Sequence, residues 1–117
     1  MTHHARPVTE SSILALYESI LLESQKMLEC ARNELWDELL QQEETRKTLF
    51  EELQLKDQGQ FNSLNFQLKK ATLIQSILEA DNETMTLSRV WMGEIQDTLN
   101  AAAQDKRLKS VYGGSGS

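Results

Sequence analysis

The chain has 117 residues, which is enough for one small domain with a thin hydrophobic core. Its 12 basic and 18 acidic residues give a formal net charge of −6, and this balance argues against direct nucleic-acid binding and against general binding to anionic membranes. A single cysteine excludes an internal disulfide framework and favours the reducing cytoplasm. The start "MTHHARPVTE" has no apolar run, so no secretory signal is expected, and no stretch reaches the roughly 20 apolar residues of a membrane span.

The first predicted helix follows a flexible N-terminus of residues 1–10. Ser11 or Ser12 is expected to be its N-cap, because a hydroxyl can accept a bond from a free backbone N–H group. The helix is expected to end at Asn33, a residue type that tolerates the left-handed conformation of a helix stop. Its apolar side chains recur at steps of three and four: Ile13, Leu16, Tyr17, Ile20, Met27, Leu28 and Ala31.

The second predicted helix runs from Glu34 to Leu55, and "KDQGQ" at 56–60 is the turn after it. Its apolar stripe is interrupted at 41–48, where no apolar residue occurs. We interpret this gap as a place where the helix does not pack within its own chain. Trp36 is predicted to close the turn between the first two helices, with a partner anchor as the alternative interpretation.

The third predicted helix begins near Phe61 and keeps one apolar register for about 39 residues. Asp81 could cap a new helix, but the register continues across it, so one long, bent helix is favoured. Such a helix would be nearly 60 Å long, about twice either of the others. Two short helices cannot cover it, so some of its apolar face must meet a second chain, a partner or the tail. The register is Leu64, Leu68, Ala71, Ile74, Leu78, Asp81, Met85, Ser88, Met92, Ile95, Leu99 and Ala102.

The predicted fold class is therefore all-α: an antiparallel bundle of three helices over residues 11–104, with a long third helix. A short C-terminal helical segment at 105–112 follows as a regulatory segment, and its basic residues favour weak docking on the acidic body. The ending "GGSGS" at 113–117 is typical of a flexible linker or a cloning scar.

The candidate partner-binding residues lie on the later half of the third helix and on the segment after it. For the methionines, burial in a core and exposure in a binding groove are both open. An exposed tryptophan is a common binding anchor. The candidates are Met85, Trp91, Met92, Ile95, Leu99, Leu108, Val111 and Tyr112.

No catalytic, cofactor-binding or metal-binding residue is predicted. His3 and His4 lack the helical or Cys–His spacing of a metal site and are expected to be solvated. Cys30 has no histidine near it in the sequence, which favours a structural thiol over a nucleophile. The glutamates of the second helix are best explained as a solvated helix face.

Three motifs in order resemble the flagellar type III export chaperone FliT family: "WDELLQQEE" at 36–44, "ADNE" at 80–83 and "QDKRLKSVYG" at 104–113. The resemblance covers about residues 11–113. It departs from the family at Asn33, where the family often has glycine, and at Leu35, which is an extra residue before Trp36. The chain also stops soon after Tyr112, where the family can have a longer last helix.

This resemblance implies a non-enzymatic cytoplasmic export chaperone. Such proteins hold the C-terminal helical segment of the filament-cap protein FliD, and they are implied to contact the export gate, the export ATPase complex and the master transcription activator of flagellar genes. The resemblance also implies that an aromatic residue at Tyr112 helps to contact the gate. Two alternatives stay open: a self-associating coiled-coil adaptor that forms a homodimer without an export role, and a regulator that acts chiefly on the transcription activator.

Overall fold

The fold consists of three helices in a computed structural model of the chain. The structure describes residues 7–112, with side chains through residue 108. Helix α1 spans Glu10–Arg32, α2 spans Trp36–Lys56 and α3 spans Leu64–Tyr112. The prediction of an all-α, three-helix fold is confirmed. The described residues divide into two compact units, 7–84 and 85–112, and the first contains α1, α2 and the beginning of α3.

The start of α1 is set by Thr9, so the prediction of Ser11 or Ser12 as the N-cap is wrong. The Ser12 backbone N–H donates to Thr9 Oγ1 at 3.0 Å, and the Thr9 backbone N–H donates to Ser12 Oγ at 2.8 Å. This reciprocal pair is a capping box. Ser12 therefore does take part in the cap, but from the third helical position rather than as the N-cap itself.

The turn between α1 and α2 carries the left-handed residue one position later than expected. Asn33 is the C-cap of α1, as predicted, but its φ is −100°. Glu34 instead has a φ of 58°, a conformation that costs a residue with a Cβ roughly 1–2 kcal/mol. Trp36 is the first residue of α2 and is half-buried, which agrees with its predicted place at this turn.

The apolar core of residues 7–84 uses a face of α3 that agrees with the predicted stripe at Ile74 but not at its exposed leucines. Phe66, Ile77 and Ala80 are buried, and Leu73 and Ile74 pack against the cluster that contains Phe66 and Ile77. Leu64 and Leu68, which belong to the predicted stripe, are exposed. Residues 64–84 carry two apolar stripes, and the hydrophobic pattern alone does not say which one its neighbours cover. The buried core residues shared by the three helices are Ile13, Leu16, Tyr17, Ile20, Leu53, Phe66 and Ile77.

The gap in the apolar stripe of α2, at 41–48, contacts the other helices through a polar side chain. The prediction that this part of α2 does not pack within its own chain is therefore wrong. Arg46 Nη1 donates to Ser24 Oγ of α1 at 2.9 Å and also pairs with Asp81 of α3. The Arg46 and Asp81 side chains are only 16% and 28% exposed, and Ser24 is fully buried. Periodicity counts apolar residues only, so it misses a helix that packs through a hydrogen-bonded charge.

A second polar cluster joins α1, the loop after α2 and α3. Asp57 Oδ2 accepts hydrogen bonds from Tyr17 Oη at 2.9 Å and from Lys70 Nζ at 2.6 Å. Burial raises the pKa of Tyr17, and its hydrogen bond to Asp57 adds to this shift. The hydrogen bond to Asp57 raises the pKa of Lys70. Both shifts keep the cluster in one charge state, with tyrosine neutral and lysine protonated, near neutral pH.

Helix α3 passes through Asp81 without a break, as favoured from the sequence. The predicted separate segment at 105–112 is instead the last part of α3. The predictions that His3 and His4 are solvated and that residues 113–117 are a linker or a cloning scar concern positions outside the described residues.

Candidate partner-binding surface

An exposed apolar surface runs along the later part of α3, within residues 85–112. We call it the Met85 face and define it by Met85, Met92, Ile95 and Leu99. The intervals between these residues are seven, three and four positions, which puts all four on one side of a helix. Each is exposed, with Met92 at 64% and Ile95, the most covered, at 38%. The four side chains therefore present the spacing that binds an amphipathic helix.

Smaller side chains alternate with the large ones on this face. Ser88 and Ala102 fall at the positions that complete a heptad pattern with Met85, Met92 and Leu99. A partner helix could place bulky residues over these small positions and receive the methionines beside them. Methionine is unbranched and adapts its shape to a partner surface.

One edge of the Met85 face carries a positive charge. Arg89 Nη2 lies 3.1 Å from Met85 Sδ, one turn away on the same helix. Glu94 and Asp97 are exposed but lie on the far side of the helix from Met92, since they are two and five residues away at 100° per residue. The face is therefore apolar with a cationic edge, although the whole chain is acidic.

Trp91 and Val90 also lie on this part of α3. Trp91 is half-buried, so the candidate anchor predicted from the sequence is only partly accessible. Val90 is exposed but was not among the predicted partner-binding residues. It lies off the stripe, about 160° around the helix from Met92, and no periodic signal would have selected it.

The structure does not bring the C-terminal candidates onto the Met85 face. Leu108 is exposed, but it follows Leu99 by nine residues, which is two and a half turns and therefore the opposite side of the helix. Because α3 is continuous to Tyr112, residues 105–112 follow the Met85 face along the helix axis and do not lie over it. The docking of this segment on the acidic body stays a prediction. The side chains of Val111 and Tyr112 lie outside the described part of the chain.

Charge is distributed unevenly between the two units of the chain. Residues 1–84 contain 15 acidic and 8 basic residues, whereas residues 85–117 contain 3 acidic and 4 basic residues. A partner that approaches the Met85 face thus meets a nearly neutral segment. Apolar burial rather than long-range attraction should dominate binding there.

Cys30 is half-buried near the end of α1. Burial raises the pKa of the Cys30 thiol, and the charges of Glu38 and Glu29 add to this shift, so little nucleophilic thiolate forms at neutral pH. Within residues 7–112, no cluster of three or more His, Cys, Asp or Glu side chains could hold a metal ion. In the same range, no helix has the length and apolarity needed to cross a membrane.

Within residues 7–112 the fold is helical throughout its regular elements and carries a long exposed apolar helix face. A family model described as flagellar protein FliT matches residues 14–114. A relative from Photorhabdus laumondii named flagellar protein FliT is 33% identical over 101 residues, which covers 86% of this chain and 81% of that protein. The chain therefore belongs to the FliT family of flagellar proteins. No solved structure matches it.

Proposed function

We propose that the chain is a cytoplasmic export chaperone of the flagellum. It binds the C-terminal helical segment of the filament-cap protein FliD and delivers that client to the export apparatus. Membership of the FliT family supports the flagellar role. The observation that carries the client-binding role is the Met85 face, an exposed apolar stripe on a helix that already has a separate face for its own core.

The client helix would lie along the Met85 face and bury its own apolar stripe there. Each Å² of apolar surface removed from water contributes about 25 cal/mol, so a few well-packed side chains give useful affinity. Masking this stripe would keep the client from aggregating before export, because exposed apolar helix faces associate non-specifically. The chaperone needs no catalytic group for this role.

Titration of the FliD C-terminal segment into the full chain tests the proposal. Met92→Asp should weaken binding by about tenfold or more, because it places a charge in a surface that becomes buried. Leu64→Asp is the matched control, since Leu64 belongs to the same seven-residue repeat, is 74% exposed and lies outside the Met85 face. It should leave the affinity unchanged.

Helical content measured by circular dichroism should be the same in both variants. Equal affinities of wild type and Met92→Asp would move the client site elsewhere. Unfolding of Met92→Asp would show that Met92 belongs to a core.

Contacts with other export components form the second part of the proposal. The end of α3, with Leu108, Val111 and Tyr112, would dock on the export gate, and the chain would also meet the export ATPase complex. Tyr112→Ala should weaken binding to the soluble domain of the gate while client affinity stays the same. Unchanged gate affinity would remove this role. Binding to the master transcription activator of flagellar genes would make the chain a repressor as well.

A self-associating coiled-coil adaptor is the alternative function that a specific observation favours. The heptad spacing of the Met85 face, with Met85, Met92 and Leu99 at one position and Ile95 at the other, is also the seam of a two-stranded coiled coil. This alternative predicts a tight homodimer by sedimentation equilibrium and no affinity for the FliD segment. A regulator acting chiefly on the transcription activator predicts tighter binding to that factor than to FliD.

A further inference from the structure

The two halves of α2 are held against the other helices in different ways. In the second half, Leu53 is buried in the core cluster and Leu49 packs against that cluster. Just after the helix, Asp57 joins the loop to both α1 and α3. In the first half, residues 36–48, the buried position is Leu39. We call residues 36–48 the strap.

The start of the strap is weakly fixed. Leu35 is the N-cap of α2, and its apolar side chain cannot accept a bond from the free N–H groups of the first helical turn. Helix α1, by contrast, begins with the capping box at Thr9. Glu34, which precedes Leu35, is held at a φ of 58°, and this conformation is unfavourable for a residue with a Cβ. Opening of the first turns would relax this backbone, so both features favour their release.

The strap lies along the last turns of α1, because α2 runs antiparallel to α1. Arg46, in the middle of α2, donates to Ser24 in the middle of α1. Asp57, just after α2, accepts from Tyr17 near the start of α1. The beginning of α2 is therefore next to the end of α1.

The end of α1 presents apolar side chains that an open strap would uncover. Met27 and Ala31 are only 4% and 3% exposed. Between them, Cys30 is half-buried, and the charge of Glu38 in the strap helps to raise the pKa of its thiol. This electrostatic effect agrees with a strap that lies close to the end of α1.

Arg46 holds the strap to both of the other helices. Its Nη1 donates to Ser24 of α1 at 2.9 Å and pairs with Asp81 of α3. Its guanidinium also lies 5.5 Å from the ring centre of Phe50, in the second half of α2. All side chains at 41–48 are polar or charged, so burial of apolar surface contributes little to holding this stretch.

We propose that the strap opens as a unit while the second half of α2 stays folded, and that Arg46 is the latch that sets how often it opens. The opening is local because Leu49, Leu53 and Asp57 keep the rest of α2 in place. The apolar end of α1 is accessible only in the open fraction of molecules, so the latch controls access to it. The strap shares no residue with the Met85 face.

Amide hydrogen exchange of the full chain, resolved by NMR, tests the local opening. Amides 40–46 donate to carbonyls of the strap, whereas amides 53–56 donate to carbonyls beyond it. After correction for intrinsic rates, 40–46 should exchange at least about tenfold faster than 53–56, because the strap opens more often than the whole chain unfolds. Equal protection of the two ranges would show that α2 opens only as a whole and would overturn the proposal.

Arg46→Met tests the latch. It should speed the exchange of 40–46 by more than about tenfold, because the native state loses a contact that the open state already lacks. Arg32→Met is the matched control, since its pair with Glu83 joins α1 to α3 and does not involve the strap. It should change the exchange of 40–46 by less than about twofold. Unchanged exchange in Arg46→Met, or an equal effect of the control, would remove Arg46 as the latch.

Glu34→Gly is a second test, which does not weaken the fold. Glycine adopts a φ of 58° without strain, so the exchange of 40–46 should slow by about threefold. Glu44→Gly makes the same replacement at an exposed helical position of the strap, and it should speed this exchange by about threefold. Reaction of Cys30 with a bulky thiol reagent should rank the variants in the same order.

Two results of this second test would count against the proposal. Exchange that does not slow in Glu34→Gly would show that the turn does not favour opening. Thiol reactivity that does not follow the exchange rates would show that the strap does not control access to the end of α1.

Discussion

Two stretches of the same helix differ in how they use one sequence pattern. Residues 64–84 and 85–108 of α3 both carry an apolar residue at every seventh position, from Leu64 through Met85 to Leu99. In both stretches this repeat is exposed. Only the first stretch has a second apolar face that is buried, at Phe66, Ile77 and Ala80. The first stretch thus folds with one face and leaves the other exposed.

Polar contacts help to decide which face of the first stretch is buried. Lys70, Asp81 and Glu83 of α3 pair with Asp57, Arg46 and Arg32 respectively. An apolar repeat gives a helix an attractive face, but specific charge pairs fix its rotation against its neighbours. The exposed heptad repeat of residues 64–84 therefore stays uncovered, because the buried face and these charge pairs already pack the helix against its neighbours.

The largest expected difference between the stretches is in how much a buried side chain contributes to the free energy of unfolding. Ile77 is 5% exposed in the first stretch, whereas Ile95 is 38% exposed in the second. Ile77→Ala should lower the free energy of unfolding by about 2–4 kcal/mol, because it leaves a cavity. Ile95→Ala should lower it by less than about 1 kcal/mol. Urea unfolding measures both, and equal losses would show that Ile95 is part of the folding core.

The next largest effect concerns the charge pair in the middle of the bundle. Arg46→Met should destabilise the chain by about 2–3 kcal/mol, because it leaves Asp81 partly buried without its partner. Adding Asp81→Leu should recover most of the loss, since no charge then remains unpaired.

Arg32→Met is the control for Arg46→Met, because the pair of Arg32 with Glu83 is half exposed on both sides. The loss in this control should be at most about 1 kcal/mol. If the Arg46 variant were no worse than the control, charge pairing would not set the rotation of α3.

The acid limb of the stability curve tests the cluster in which Asp57 binds Tyr17 of α1 and Lys70 near the start of α3. Burial alone would raise the pKa of Asp57, but hydrogen bonds from Lys70, Tyr17 and the Gly59 backbone together lower it. A lowered pKa stabilises the fold above the unfolded-state value of about 4, and this contribution is lost as the pH falls through the lower native value.

Asp57→Asn should therefore be less stable than wild type at pH 7, and the gap should narrow as the pH is lowered below about 4. Asp97→Asn, an exposed substitution in the second stretch, should keep the wild-type acid limb. Thermal unfolding from pH 2 to pH 7 gives both curves. A constant gap across that range would show that the Asp57 charge does not contribute.

The smallest expected effect is that of the C-terminal residues on client binding. Because α3 continues through 105–112, these residues do not cover the Met85 face. Deleting 105–117 should change the affinity for the FliD segment by less than about twofold. Clearly tighter binding after deletion would revive the docking that the sequence suggested, and it would require α3 to open near its end.

The sequence predicted the helices well because the signals for them are local. Between Val8 and Tyr112 there is no proline and there are only two glycines. Few residues therefore interrupt a helix, and the end of α1 and the long α3 could be predicted. Gly59, which has a φ of 76°, lies in the predicted turn at 56–60. The cap at Thr9 was missed because three nearby hydroxyl residues give the same local signal.

The features that were predicted wrongly share one cause. Each depends on contacts with residues that are distant in the sequence. The face of α3 that packs in the core could not be chosen without knowing where α1 and α2 lie. Arg46 was counted as part of a polar gap because its partners Ser24 and Asp81 are 22 and 35 residues away. Leu14 of α1 and Leu68 of α3 line one groove although they lie on different helices. For the Met85 face the apolar spacing was visible, because a heptad is a local pattern.

Hydrogen–deuterium exchange of the full chain with and without the FliD C-terminal segment tests whether the Met85 face binds the client. We expect slower exchange in residues 85–102 when the segment is bound, because a helix docked on the Met85 face stabilises α3 locally. Residues 10–32 should exchange at unchanged rates. Protection confined to residues 10–84, or no protection at a saturating concentration of the segment, would contradict the claim that the later part of α3 holds the client.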